Sequence, residues 1–471
     1  MKKSLVALAV LAATGAYAQS SVTLYGIVEA TVDMGYNRTQ ESTTTTNTFN
    51  AAGNGLLSTV SSTNASQKNN FRIQDGNSQG TGTSRVGFRG TEDLGGGLKA
   101  NFVAEMGLRV DDGCATTAGS VCSSGNSGGN LFGRNAWGGL SGGFGEVRLG
   151  RQVLGSFGVQ GNSWAAGSSN GLYDAGASTA PPMGGVRFSN AIRYMTPNFG
   201  GFRGSLMLSA PETNPDGDTF LANSTTSTTT AGVVTTTSNS RRTGVDLALE
   251  YGNGPAYIGF GYNKRDTGNI GTSSTPAVIA PFGTTTANNS ALVFPFAATA
   301  PATVTGYTIG GSYDLGVVKP FINYTRQQTD INGNSTFTAV LPINNTSTAN
   351  SGNINARALS IGLRAPVGAF TVIAGYGRLN QTTNFANVVS TTALVTTTAG
   401  NVQEKRDAFQ LGAQYALSKR TLVEANYGYN RLNSNGSSVV TTGPVVAGRT
   451  EVLVRGNDRI SALNVGLKHS F

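Results

Sequence analysis

The stretch from Leu98 to Val110, LKANFVAEMGLRV, alternates regularly between apolar and polar positions. Its even positions are all apolar, whereas its odd positions include Lys99, Glu105 and Arg109. Successive side chains of a strand point to opposite faces of a sheet, so this two-residue period predicts a β-strand with one apolar and one polar face. The same alternation recurs in further segments, for example 245–251, 359–364, 409–415 and 423–429.

Sixteen segments along the chain have strand character. They begin near Ser21, Ser84, Leu98, Leu131, Gly145, Val186, Phe202, Arg242, Ala256, Thr303, Val317, Ala356, Ala369, Arg406, Thr421 and Arg459. About ten residues each is the length that a tilted strand needs to cross the hydrocarbon layer of a membrane. An even number of strands is typical of bacterial single-chain barrels.

The connections between these segments alternate strictly between short and long. Short ones include EDLGGG and PNFGG, and long ones include residues 37–84, 151–185, 330–355 and 433–456. In an up-and-down meander, alternate connections lie at opposite ends of the sheet. Short periplasmic turns opposite long external loops are typical of transmembrane barrels. The pattern therefore predicts an all-β fold, a transmembrane antiparallel β-barrel of about 16 strands, with apolar side chains toward lipid and polar ones toward an aqueous lumen.

Composition agrees with this prediction. The 471 residues include 65 glycines and are only 38% hydrophobic, which disfavours a helical protein because glycine destabilises helix interiors. The N-terminus has Lys2 and Lys3, an apolar run over residues 5–13 and the motif AYA before Gln19. These are the parts of a secretory signal, so we expect residues 1–18 to be cleaved and residues 19–471 to form the barrel.

Several motifs resemble the trimeric general porins of Gram-negative bacteria, particularly their β-proteobacterial branch. They are SSVTLYGIVEA, SRVGFRGTEDLGGGLKANFVAEMG, FGEVRLGRQ, RYMTPNFGGF and the terminal NVGLKHSF, and together they cover nearly the whole chain. The resemblance implies a homotrimer of sixteen-stranded barrels in the outer membrane, surrounded by lipid and lipopolysaccharide. It also implies a third loop, here residues 151–185, that folds into the pore and constricts it.

The resemblance also implies a charged constriction. By motif match, Arg85, Arg134 and Arg187 take the basic positions of the wall, and Glu105 takes an acidic one. Anion-selective relatives carry an aspartate in the constricting loop. Here the matching offset falls near Trp164, and the only carboxylate of the loop is Asp174. The terminal Phe471 resembles the signal for outer-membrane assembly.

Positive charges outnumber negative ones on the face predicted to line the lumen. Without Lys2 and Lys3 the chain has 31 basic and 24 acidic residues, and they are scattered along strands rather than clustered as in a nucleic-acid binder. The basic lumen residues are Arg85, Arg89, Lys99, Arg109, Arg134, Arg148, Arg187, Arg193, Arg203, Arg364 and Lys468. The acidic ones are Glu105, Glu146, Asp246, Glu250, Asp314 and Glu424. Basic rings favour anions, so we expect an anion-selective pore for small hydrophilic solutes.

Other features leave some alternatives open. Cys114 and Cys122 lie in a Gly/Ser stretch, where an exported protein favours one small disulfide over two free thiols. Two G-x-S-x-G matches, at Gly125 and Gly167, lack the strand and helix that a nucleophile elbow requires. With His469 as its only histidine, the sequence predicts neither an enzyme nor a cofactor or metal site. The alternative function is an outer-membrane adhesin or receptor surface, with a barrel enzyme less favoured.

Overall fold

The computed structural model describes most of the chain after residue 20. The described residues are 21–50, 55–75, 84–111, 113, 115–116, 131–164, 174–181, 183, 185–210, 233–234, 243–267, 302–339, 346–390, 395–443 and 448–471. The predicted signal, residues 1–18, and both cysteines, Cys114 and Cys122, lie outside these ranges, so the signal and the disulfide stay predictions.

Strands make up nearly all of the described chain. They are β1 (Ser21–Phe49), β2 (Leu56–Asp75), β3 (Arg85–Gly95), β4 (Leu98–Leu108), β5 (Ala115–Thr116), β6 (Asn135–Gly142), β7 (Gly145–Val153), β8 (Arg187–Met195), β9 (Phe202–Ser209), β10 (Val233–Val234), β11 (Gly244–Asn253), β12 (Ala256–Thr267), β13 (Ala302–Tyr313), β14 (Lys319–Ala339), β15 (Thr346–Val367), β16 (Phe370–Ser390), β17 (Val395–Ala416), β18 (Thr421–Gly443) and β19 (Gly448–Ser470). Two short helices in the described ranges, α1 (Gly155–Asn162) and α2 (Ala175–Thr179), lie between β7 and β8. Neither is long or apolar enough to cross a membrane as a helix.

The strands form one closed antiparallel barrel with sixteen positions in its wall. The first strand, β1, pairs with β19 from Ile27↔Ser470 to Thr48↔Thr450, which closes the sheet. Both β2 and β3 pair with β1, at different heights, so together they count as one strand of the wall. The two-residue β5 extends the line of β6 beside β4, and β10 pairs only with the end of β14. The predicted fold and its sixteen strands are therefore confirmed.

Strand positions agree with the alternation, but the predicted length of about ten residues is wrong for many strands. The barrel strands β14 to β19 run for 21 to 23 residues, and β1 runs for 29. Much of the chain predicted to be loop, within 37–84, 330–355 and 433–456, continues the hairpins. In these segments Thr, Ser and Asn occupy both faces of the strands, so the alternation of apolar and polar residues disappears. The hydrogen-bond ladder nevertheless continues, and threonine has a high strand propensity.

The two faces of the wall differ as the alternation predicts. On β11 and β12 the outward side chains include Leu249 and Ile258, which are 50% and 54% exposed. Their inward neighbours include Asp246 and Asn263, which are fully buried. Apolar surface on the outside and buried polar groups on the inside are the reverse of a soluble domain, and they are the arrangement expected of a barrel in lipid.

This arrangement predicts a face-dependent response to charge. Leu411 lies on the outward face midway along the membrane part of β17, and Thr371 lies on the inward face of the neighbouring β16. We expect Leu411→Arg to lower the free energy of unfolding in lipid vesicles by about 2–4 kcal/mol, because it places a cation in hydrocarbon. The control Thr371→Arg faces water and should cost much less. Denaturant titration of both variants checks this, and equal costs would contradict the assignment of the faces.

Candidate functional site

The segment between β7 and β8 leaves the wall and lies against its inner face. The first helix, α1, has no side-chain cap of its own, since Leu154 precedes it. Instead Asp246 of β11 accepts hydrogen bonds from the backbone N–H of Gly155, at 2.7 Å, and of Ser156, at 3.3 Å. It also accepts one from the Ser156 hydroxyl. The buried carboxylate thereby satisfies the free N–H groups and complements the dipole at the start of the helix.

Glycines in the wall let α1 and the following chain approach closely. A Cβ atom at Gly261 would lie 2.7 Å from the Cα of Ser156, and one at Gly310 would lie 2.5 Å from the Ser163 side chain. Both distances are shorter than a non-bonded contact. Any side chain at these inward positions would therefore push the segment away from the wall and further into the lumen.

The second helix, α2, packs against the wall at β15 to β18. The backbone N–H of Ala175 donates to Gln410 Oε1 at 3.2 Å, and the Ser178 hydroxyl donates to Asn430 Oδ1 at 2.9 Å. Arg406 donates to the carbonyl oxygen of Ser178 at 3.1 Å. Since α1 contacts β11 to β13, the segment spans the lumen between two parts of the wall. Its described residues belong to the loop 151–185, for which the family resemblance predicts a constriction.

Three residues predicted to line the constriction contact one another: Arg85 of β3, Glu105 of β4 and Arg134, just before β6. The carboxylate of Glu105 lies between the two arginines. Glu105 Oε1 lies 2.8 Å from Arg134 Nε, and Glu105 Oε2 lies 3.6 Å from Arg85 Nε. The Tyr25 hydroxyl donates to Glu105 at 3.0 Å and the Asn135 amide donates at 3.2 Å. Glu105 is only 6% exposed, so its charge is both paired and shielded from the lumen.

Two further arginines, Arg151 and Arg187, add positive charge on the same side of the wall as Arg85 and Arg134. Arg187 interacts electrostatically with Arg85, Arg134, Arg151 and Glu105. Its Nε has no hydrogen-bond partner among the described residues. We call Arg85, Arg134, Arg151 and Arg187 the arginine cluster; among the described residues its ion pairs are with Glu105, so the cluster has an excess of positive charge.

Arg151 is a member of this cluster that the sequence patterns do not predict. Its guanidinium donates to the carbonyl oxygen of Gly133 at 2.7 Å and to the Ser189 hydroxyl at 2.6 Å. Counting alternate residues could not find it, because the ladder between β7 and β8 is irregular between Gly150 and Gln152. The motif FGEVRLGRQ, which ends at this point, was the available signal.

Asp174 lies at the start of the short helix α2 and is buried there. Its side chain accepts the backbone N–H of Ala177 at 3.0 Å and so caps α2. The residue is 4% exposed, and burial raises its pKa to about 6. Its charged neighbour is Arg364 of β15 rather than any member of the arginine cluster. The structure therefore does not bring Asp174 to the other predicted constriction residues.

The remaining predicted lumen cations differ in what holds them. Arg193 donates to the carbonyl oxygen of Val153 at 3.1 Å and to Ser205 at 3.0 Å, which fixes the point where the chain leaves the wall. Arg148 makes two 2.8 Å contacts with Glu146 and lies 4.0 Å from the centre of the Trp137 ring.

The others lie at the ends of strands or on exposed inward positions. Arg89 lies 5.3 Å from the ring centre of Tyr25. Arg203 is directly opposite Glu250 on the neighbouring strand. Arg109, just past the end of β4, pairs with Asp111 at 3.3 Å, and Lys99 is exposed near the short turn. Asp314 lies in a tight turn, where it accepts the N–H of Gly316, and so is not part of the wall.

Phe471 lies at the seam where the barrel closes. Its backbone N–H donates to the carbonyl oxygen of Gly26, and its carbonyl oxygen accepts the N–H of Gly26, both at 3.1 Å. A Cβ atom at Gly26 would lie 2.5 Å from the Phe471 ring, so the ring covers the glycine. Its role as an assembly signal stays a prediction.

Comparison with known proteins gives consistent matches over most of the chain. Residues 4–435 match the family described as Gram-negative porin. Outer membrane porin protein 32 of Delftia acidovorans is 29% identical over 483 aligned residues, covering 100% of both chains. An outer membrane porin protein of Bordetella pertussis is 28% identical and covers 91% of this chain and 94% of its own. A loop L8 deletion mutant of OmpT, an outer membrane protein of Vibrio cholerae, shares the fold, with 13% identity, a TM-score of 0.52 and coverage of 96% and 99%.

The contact between Asp246 and α1 predicts a local effect. We expect Asp246→Ala to speed hydrogen exchange of the amides in residues 155–162 by roughly 5- to 30-fold, the loss typical of a removed helix cap. Glu146→Gln, which neutralises another inward carboxylate, is the matched control and should leave these amides unchanged. Unaltered exchange in Asp246→Ala would show that the helix does not depend on this carboxylate.

The raised pKa of Asp174 predicts a pH dependence at α2. Because the pKa rises from 3.8 in the unfolded chain to about 6, the folded state favours the protonated form. This stabilisation is complete below about pH 4 and is lost as the pH rises through 6, with a magnitude of up to about 3 kcal/mol. Hydrogen exchange at residues 175–179, corrected for intrinsic rates, should show stronger protection at pH 4 than at pH 7. In Asp174→Asn, which keeps a capping oxygen, that difference should vanish.

Proposed function

The chain belongs to the Gram-negative porin family, and from that premise we propose that it forms a water-filled, anion-selective pore through which small hydrophilic solutes diffuse passively. The observation that carries this proposal is the arginine cluster. The guanidinium groups of Arg85, Arg134 and Arg187 interact with one carboxylate, that of Glu105, and Arg151 interacts with Arg187, beside the point where the segment between β7 and β8 leaves the wall. A narrowed passage with low-dielectric walls concentrates the field of such a cluster and attracts anions.

The other inward carboxylates support the same sign of selectivity because most of them are already paired. Asp246 is occupied by the start of α1, and Glu146 by Arg148. Glu29 lies 3.4 Å from Lys468 across the β1–β19 seam. These carboxylates are neutralised locally, and they offer little to a passing cation. The excess charge is that of the arginine cluster.

We also propose a homotrimer, the assembly that the family resemblance implies. A surface suited to a second copy lies on the outward side of β4 and β6. It is apolar and rich in small residues, with Ala100, Ala104, Ala136 and Gly138 between larger side chains. Closed symmetric assembly of such surfaces buries them without exposing a new edge.

A second candidate function is an adhesin or receptor surface at the external end. Its support is the β1–β2 hairpin, whose Thr, Ser and Asn side chains bond across the two strands, as at Thr43–Thr63 and Thr59–Asn47. Planar-bilayer recording separates the two functions, since an adhesin without a pore is electrically silent. Stepwise conductance in groups of three supports both the pore and the trimer.

Reversal potentials across a KCl gradient test anion selectivity. We expect the wild type to prefer chloride, and more strongly in dilute salt, because the Debye length grows from about 3 Å at 1 M to about 30 Å at 0.01 M. Arg187→Gln should weaken the preference. Its Nε has no hydrogen-bond partner in the described chain, and Glu105 keeps its contacts with Arg85 and Arg134, so this carboxylate is not left unpaired. Arg85→Ser with Arg134→Ser should weaken it further.

The matched control removes two cations outside the pore. Lys419→Ser with Arg420→Ser acts at the exposed turn between β17 and β18 and should leave the reversal potential unchanged. Cation preference in the wild type would overturn the proposal. So would full anion preference in the triple variant of Arg85, Arg134 and Arg187.

A further inference from the structure

Trp137 of β6 places an aromatic ring on the inner face of the wall. Its direction follows from residues of the same parity, since Asn135 bonds to Glu105 and Ser141 bonds to Asn101, both on the inward face of β4. Leu140, which has the opposite parity, is 44% exposed on the outside. Trp137 itself is half-buried, so its ring is available to the lumen.

A second apolar side chain lies beside this ring. Val103 of β4 is the direct cross-strand partner of Trp137 and has the same inward direction. The two are bordered on one side by Arg134 of the arginine cluster and on the other by the Asn101 amide, which donates to Ser141 Oγ at 2.8 Å. An apolar spot framed by a few polar groups is the usual composition of a small-molecule site.

The ring is held in place by an ion pair. The guanidinium carbon of Arg148 lies 4.0 Å from the centre of the Trp137 ring. Glu146 accepts two hydrogen bonds of 2.8 Å from the same guanidinium and neutralises its charge. The stack of Trp137 on Arg148 is therefore preorganised, and a solute that contacts it loses little additional entropy in ordering the wall.

The stack lies next to the arginine cluster, on the side of the short turns. Trp137 is one inward position below Asn135, whose amide shares Glu105 with Arg134. Successive inward positions of a strand are about 7 Å apart. A carboxylate bound at the level of the arginine cluster therefore leaves an attached ring at the level of Trp137. At that level of the cluster, Arg187 Nε has no hydrogen-bond partner among the described residues.

These two features together favour one class of solute. An aliphatic carboxylate would gain the charge contact with the arginine cluster, but it has no ring to pack on Trp137. A neutral aromatic solute would gain only the ring contact. Two aromatic rings attract each other beyond the effect of buried area, because the positive edge of one meets the negative face of the other.

We propose that Trp137, Val103 and the Arg148–Glu146 pair form an aromatic subsite, and that the pore favours single-ring aromatic carboxylates. The carboxylate pairs with the arginine cluster while the ring packs against Trp137. The proposal rests on the proposed anion-selective pore, since the arginine cluster supplies the charge contact. Binding is weak and reversible, because a solute that passes through a pore must also leave its site.

The first test compares benzoate with cyclohexanecarboxylate, which has the same charge and a ring of similar size without aromatic character. Each is added to chloride currents in planar bilayers. We expect benzoate to halve the wild-type current at a roughly 5-fold lower concentration than cyclohexanecarboxylate. Trp137→Leu should abolish this difference, and Trp137→Phe, which keeps a ring, should retain most of it. The control Phe409→Leu removes an outward ring of β17 and should behave like the wild type.

A second measurement needs no current. The chain has two tryptophans, Trp137 and Trp164, so in Trp164→Phe all tryptophan fluorescence comes from Trp137. We expect benzoate to change this emission saturably, at a roughly 5-fold lower concentration than cyclohexanecarboxylate. This variant keeps residue 137 native, so the test stays valid if Trp137→Leu fails to fold.

The outcomes separate the subsite from the pore. Equal action of the two carboxylates on a chloride-selective wild type would overturn the aromatic subsite and leave the anion pore intact. So would a Trp137 emission that ignores benzoate, or a full preference for benzoate in Trp137→Leu. A cation-selective wild type whose Trp137 emission does not respond would overturn both proposals. A saturable response of Trp137 without anion selectivity would support the subsite and overturn only the selective pore.

Discussion

In hydrocarbon there is no water to pair with a free N–H or C=O group, so a membrane-spanning sheet must have no edge. Here the requirement is met at the seam between β1 and β19, which pair over most of their length. Phe471 completes the seam with two backbone hydrogen bonds to Gly26. If the last strand were missing, two long edges would be exposed in the apolar layer, and the remaining strands would lose the closure on which they depend.

Closure also sorts every side chain between two solvents. Outward positions meet lipid, and inward positions meet water or the segment that carries α1 and α2. Because the wall supplies its own backbone pairing, the inward segment is held by side chains and by close approach instead. Asp246 binds the start of α1, Gln410 and Arg406 bind α2, and Gly261 and Gly310 leave room for the chain.

The same residue type has different consequences on the two faces. On the inward face, Arg85 and Arg134 pair with Glu105, and Arg151 and Arg187 leave an excess of positive charge on the lumen side of the wall. On the outward face, the pairs Arg326–Arg357 and Arg431–Arg459 lie on the same strands as an aromatic row of Tyr376, Phe409 and Tyr429 or on adjacent ones. A cation beside a low-dielectric wall attracts anions more strongly than one in open water.

Local periodicity determined much of this protein. Alternation in segments such as Leu98–Leu108 established strand positions, the two faces and the barrel, since a strand's side-chain period depends only on its own backbone. Periodicity failed where both faces are polar, so the long external hairpins were predicted as loops. It also failed where the chain leaves the ladder, so it did not identify Arg151. The assignment of Asp174 to the constriction came from the family resemblance and stays a prediction. Only the closed sheet brings distant strands to the same height. Asp246 therefore meets Ser156, 90 residues away along the chain, and Arg187 comes close to Glu105. No local pattern in the sequence contains these contacts.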